Sequence, residues 1–220
     1  TERIAKDPPL GQEPVRSPRP VRRDGNPALS FAQQRLWFLD QFEPNNSVYN
    51  VPIGLRLRGP LNVASLERSL NEIVRRHEAL RTTFPAIEGQ PFQLISESLA
   101  LSLPVTDLTD LAASQRENEA LRLANQEAQQ PFDLTRGPLV RATLLRLSPE
   151  DHILLLTLHH IVTDGWSLGV FIHELSALYQ AFSTGRPSPL AGLPIQYADF
   201  AAWQREWLQG AVLEGQLGYW

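Results

Sequence analysis

The chain has no cysteine among its 220 residues, which excludes disulfides and thiolate metal sites alike. It lacks a dominant charge: 20 Lys and Arg face 24 Asp and Glu, for a net charge of −4. No broad basic patch is visible, so no nucleic-acid partner is expected. No apolar run approaches the roughly 18–20 residues that span a bilayer. The first residues also lack the charged-then-apolar order of a secretory signal. The expectation is a soluble cytoplasmic protein without membrane association. Histidine is scarce as well, with five in all, yet two of them are adjacent.

The hydrophobic share of 42% is enough for one sizeable core. Residues 1–27 carry six prolines and scattered arginines with almost no apolar periodicity, which is the composition of a disordered inter-domain linker. A folded unit is expected over 28–220. In "SFAQQRLWFLDQF", Ser30 with Gln33 three residues on is a capping-box start to a helix. "YNVPIGLRLRG" alternates Val51, Ile53, Leu55 and Leu57 with Arg56 and Arg58, a strand pattern. Asn62 caps a second helix whose Leu66, Leu70, Ile73 and Val74 share a face. "RTTF" and "PFQLI" are short strands, and a polar helix runs from Ser114 to Gln130 before Pro131 ends it. Two strands around Ser148–Asp151 form a hairpin, and a helix with Leu168, Phe171, Leu175, Leu178 and Phe182 on one stripe follows. Helices interspersed with partly hairpin-linked strands indicate an α/β (α+β) layer with a mixed sheet.

The histidines end the apolar run "ILLLTLHH", and "IVTDG" follows at once. Successive strand residues point to opposite faces, so His159 and His160 cannot serve one small target: one is packed and the other is free for chemistry. Alternatively, both simply cap the strand. A near-neutral imidazole can take a proton from a nucleophile and return it to a leaving group. Asp164 can orient an imidazole or pair with an arginine, and Gly165 lets backbone pass where a side chain would clash. His160 and Asp164 are four apart but in a turn, with no third ligand at a telling distance, so no metal site is expected.

Two further segments matter. "VRRHEALRTTF" ends a helix with clustered cations, either a solvated basic end or the source of an arginine that locks Asp164. "QYADFAAWQREW" and the terminal "YW" are aromatic, either core or the walls of a binding tunnel.

Together these segments resemble the condensation domains of non-ribosomal peptide synthetases. "LSFAQQRLWFLDQF" resembles the family's first motif, "RRHEALRTTF" its second, "HHIVTDGWS" its third and active-site motif, and "YW" the start of its fourth. The resemblance runs from Leu29 to Trp220. It implies a chloramphenicol-acetyltransferase-like fold, one lobe of a two-lobed V-shaped domain. It also implies amide-bond formation between a donor acyl or peptidyl thioester and the amine of an acceptor aminoacyl thioester. No cofactor is bound directly; both substrates are presented on the 4′-phosphopantetheine arms of upstream and downstream peptidyl carrier domains, beside an adenylation domain. The implied catalytic residues are His160, facing the tunnel as base or positioning group, and Gly165, through its backbone N–H. His159, Asp164, Arg76 and Arg81 are the implied supports, with Asp164 paired to one of the arginines. Trp166, Ser167 and Trp220 line the tunnel.

The family's C-terminal lobe and later motifs are absent from this sequence, so the isolated chain is expected to be weakly active or inactive. The rival readings are a stand-alone acyltransferase sharing His-x-x-x-Asp-Gly and a catalytically silent fragment or docking lobe. Heterocyclising relatives carry aspartate at the first position of the doublet, which here is His159.

Overall fold

In the computed structural model, the described residues are 17–22 and 25–219. Helix α1 (Phe31–Phe42) starts as its sequence predicts: the Ser30 hydroxyl accepts the Gln33 N–H, and the Gln33 side chain accepts the Ser30 N–H. Strand β1 (Asn50–Arg58) leads to α2 (Val63–Arg76), whose cap Asn62 accepts the Ser65 N–H at 2.9 Å. Short pieces follow: β2 (Thr82–Thr83) pairs with β5 (Leu94–Ile95) around the hairpin of β3 (Ala86–Ile87) and β4 (Gln90–Pro91). Then come β6 (Val105–Asp107), α3 (Ala113–Ala128), β7 (Val140–Ser148) and β8 (Asp151–His159). Helices α4 (Gly165–Ser183), α5 (Tyr197–Trp207) and α6 (Gly210–Tyr219) complete the order.

The main sheet runs β1-β8-β7-β6, antiparallel except for the parallel β6–β7 pair, and is therefore mixed as expected. The predicted hairpin closes with Ser148 opposite Asp151, and β8 is one of the two inner strands, with Leu156 between Ile53 and Ala142. Alternation divides its apolar run between two layers. Leu154, Leu156 and Leu158 join Leu70 and Ile73 of α2 and Phe171, Leu175 and Leu178 of α4. Ile153 and Leu155 face the other way, with Leu145, Leu147 and Ala120 of α3. Each fully buried leucine stabilises the fold by roughly 1.5–3 kcal/mol. This two-sided burial holds the end of β8, and so the histidines, in a fixed place.

Of the linker expected over 1–27, residues 1–16, 23 and 24 lie outside the described residues. The described part is tied down rather than loose: the Val21 N–H donates to Asp199 Oδ1 at 2.8 Å, and the Pro27 carbonyl accepts the Gln93 N–H at 2.8 Å. Asp199 is buried, and a buried carboxylate needs donors. Among the described residues no helix is long and apolar enough to cross a membrane.

Candidate active site

The backbone at the end of β8 is pinned from both sides. The His159 N–H donates to the Leu139 carbonyl at 3.0 Å, and the His160 N–H to the Tyr49 carbonyl at 2.8 Å. The side chains then diverge. His159 is 2% exposed, with the Phe132 ring edge-on at 6.1 Å and the Tyr49 ring at 6.3 Å. Burial, helped by the neighbouring His160, pushes its pKa down to about 4, so it is neutral at pH 7. Its Nδ1 accepts the Ile161 N–H at 3.1 Å, which puts the proton of the neutral ring on Nε2.

His160 is exposed and lines a cavity of about 680 Å³. Its Nδ1 lies 2.8 Å from the Thr163 carbonyl oxygen. A carbonyl only accepts, so Nδ1 carries the proton and the neutral ring keeps its lone pair on Nε2. A turn of three residues thus sets the tautomer that a proton acceptor needs.

Among the described residues Asp164 does not pair with an arginine. It is the N-cap of α4: its Oδ1 accepts the Ser167 N–H at 2.8 Å and the Ser167 hydroxyl at 2.6 Å. These bonds hold its carboxyl below the ordinary range. Helix starts leave N–H groups without intrahelical partners, and aspartate meets that demand directly. The arginines go elsewhere. The Arg76 guanidinium donates to Glu174 at 3.2 and 3.3 Å and to the Ala191 carbonyl at 2.8 Å. Arg81 donates to the Ser96 carbonyl and lies 3.6 Å from Glu78. The expected Asp164–arginine contact is therefore replaced by Arg76–Glu174. Glu174 is ten residues further along α4, about 15 Å by helical rise.

His77 adds a third member, its Nε2 lying 2.9 Å from Glu174. Burial pushes the Glu174 carboxyl up, but the bonds and charges of Arg76 and His77 together outweigh it and leave it below its ordinary value. Arg76 thus joins α2 to the helix that leaves the histidine turn, at a point well beyond the turn itself. Sequence reading missed Glu174, although a lone acid beside the apolar stripe of "FIHELSAL" was a usable signal.

Gly165 opens α4, so its N–H belongs to the unpaired first turn. A Cβ there would meet nothing within 4 Å among the described residues, so the expected backbone clash is not what requires glycine. Trp166, 85% exposed, and Ser167 line the cavity, whereas Trp220 lies outside the described residues. Of the aromatic helix α5, Tyr197 and Phe200 join the cavity wall, and Trp203 stacks on Trp207 with ring centroids 5.2 Å apart. No group of three or more acidic or histidine side chains among the described residues is placed to hold a metal ion.

The family model for the condensation domain matches residues 24–220. The chain belongs to the condensation-domain family. This condensation-domain chain is 54% identical over 202 residues to one of the linear gramicidin synthase proteins of Brevibacillus parabrevis, covering 92% of the chain and 3% of that protein. It is 51% identical over 203 residues to the phosphinothricin tripeptide synthetase PhsC of Streptomyces viridochromogenes, covering 92% of the chain and 19% of that protein. Among solved structures, the starter condensation domain of rhizomide synthetase RzmA aligns with a TM-score of 0.80 at 26% identity, over 90% of this chain and 47% of that one. The X-domain from teicoplanin biosynthesis aligns with a TM-score of 0.79 at 33% identity, over 93% of this chain and 44% of that one. The condensation-domain chain therefore spans a small part of those synthetases and under half of each solved chain. Its fold is the chloramphenicol-acetyltransferase-like α/β arrangement that the motifs imply.

Proposed function

We propose that this chain is the N-terminal lobe of a domain that forms peptide bonds in non-ribosomal peptide synthesis. The observation that carries the reading is the divided histidine pair, one imidazole buried and neutral, the other at a cavity with its Nδ1 occupied by the Thr163 carbonyl. The amine of an acceptor aminoacyl thioester attacks the donor thioester carbonyl. The new C–N bond forms, the C–S bond breaks, and His160 Nε2 takes the proton that the amine loses and passes it to the departing thiolate. A thioester is already activated, so alignment of two tethered reactants supplies much of the acceleration. In this reading the Gly165 N–H, in the first turn of α4, steadies developing negative charge on the carbonyl oxygen.

In this reading both substrates arrive in the cytoplasm on 4′-phosphopantetheine arms of carrier domains, with an adenylation domain alongside and a C-terminal lobe closing the cleft. Support comes from the matched share of the solved relatives, near half of each chain. The full-length protein, given a donor acyl thioester and an acceptor aminoacyl thioester on separate carriers, should form the amide-linked product on the acceptor carrier. An N-blocked acceptor should yield none. Acyl transfer from free coenzyme A thioesters to small alcohols or amines, with no carrier-bound product, would favour the stand-alone acyltransferase instead.

A further inference from the structure

Helix α1 reaches the cavity through Gln33, Arg35 and Leu36. Gln33 and Leu36 are buried, whereas Arg35 is exposed, so this wall climbs from the core to the surface and carries the arginine at its open rim. Arg35 is the one arginine or lysine that lines the cavity among the described residues. Its guanidinium has no hydrogen bond, ion pair or ring contact there.

Groups that could have answered it are committed to other partners. Asp164, the one carboxylate of the wall among the described residues, accepts both bonds from Ser167. The Gln196 carbonyl accepts the Glu78 N–H at 3.0 Å. Nearby Arg205 is itself used in packing: it donates to the Leu29 carbonyl and to Gln34 Oε1, and lies 4.9 Å from the Phe31 ring centroid. Away from the cavity, Arg56, Arg75, Arg122 and Arg141 each lie within 2.7 Å of a carboxylate. An exposed guanidinium is well solvated, so it is the place of Arg35 that carries the inference: a free cation at the rim of the cavity that His160 lines.

We propose that Arg35 anchors the phosphodiester of a phosphopantetheine arm seated in the cavity. The proposal rests on the reading that the cavity takes carrier-bound thioesters. Such an arm has one anionic group, the phosphodiester that joins it to its carrier, at the end away from its sulfur. With the sulfur end beside His160, that group is left towards the outside. A guanidinium fork matches two phosphate oxygens and keeps its charge throughout the working pH range. An anchor there holds ground state and transition state alike, so it lowers KM and leaves kcat unmoved.

The test compares two soluble thioesters in the full-length protein: one on phosphopantetheine blocked as its methyl phosphodiester, the other on pantetheine, which lacks the phosphate. Each is offered as acceptor against a carrier-bound donor, then as donor against a carrier-bound acceptor. In one of the two roles the wild type should favour the phosphodiester about tenfold, through KM. That role assigns the arm, and the preference should narrow as salt rises. Arg35→Met should keep the wild-type melting temperature and lose most of the preference, its KM for the phosphodiester rising towards that for pantetheine. Arg35→Gln serves if the methionine variant does not fold.

No preference in either role overturns the proposal, as does a preference that survives in the variant. An equal rise in KM for both thioesters also overturns it, because Arg35 would then act on something other than phosphate. Failure of the wild type to form product from any carrier-bound pair removes the underlying reading and this proposal with it. Product formation without a phosphate preference removes this proposal alone.

Discussion

His159 and His160 are held in opposite tautomers: Nδ1 of the first accepts the Ile161 N–H, and Nδ1 of the second donates to the Thr163 carbonyl. Two chemically identical neighbours are thereby given different work by the strand alternation and by the turn that follows.

Stability should fall with acid in a window set by His159. Its pKa is about 4 in the folded chain against an ordinary value of 6.5. Between those values the unfolded chain binds a proton that the folded chain refuses, so stability is intact above pH 6.5 and is lost as pH falls towards 4. The loss is about 3 kcal/mol. His152, also lowered by burial, adds in the same direction. Urea midpoints between about pH 7 and pH 4.5 should drop for the wild type and drop less for His159→Leu. Parallel curves would contradict the assignment.

Breaking the buried ion pair should cost more than removing the helix cap. Arg76 and Glu174 side chains are 6% and 8% exposed, so Glu174→Ala strands a guanidinium and should cost about 3–5 kcal/mol. Asp164→Ala loses an N-cap and should cost about 1 kcal/mol. The double variant Arg76→Met, Glu174→Leu should recover most of the loss. Equal melting temperatures for Glu174→Ala and Asp164→Ala would show that the pair does not secure α4.

Gly165→Ala should fold normally, because its Cβ meets open space and alanine suits a helix. The melting temperature should stay level or rise by the equivalent of about 0.5–1 kcal/mol. A clear fall would show a constraint on this glycine within the lobe. If activity falls without a loss of stability, the glycine serves the approach of substrate.

Local signals were legible in the sequence because local physics decides them. Ser30 with Gln33, Asn62, the β1 alternation and the Ser148–Asp151 turn each depend on neighbours within a few residues. The split of the histidine pair was legible for the same reason, since alternation along a strand needs no tertiary information. What escaped was pairing across elements. Arg76 has several acids within reach on paper, and only the packing of α2 on α4 selects Glu174 over Asp164. The Gln33 side chain escaped in part: its cap bond is legible locally, but that its Nε2 is buried with no acceptor among the described residues depends on packing from other elements.

The most direct measurement is single-turnover amide formation by His160→Ala in the full-length protein, with loaded donor and acceptor carriers. The rate should fall by about 10²–10⁴-fold while the melting temperature stays within a degree or so of wild type, because this exposed side chain leaves the core untouched. A variant that forms product at the wild-type rate would contradict the assignment of His160 as the proton acceptor.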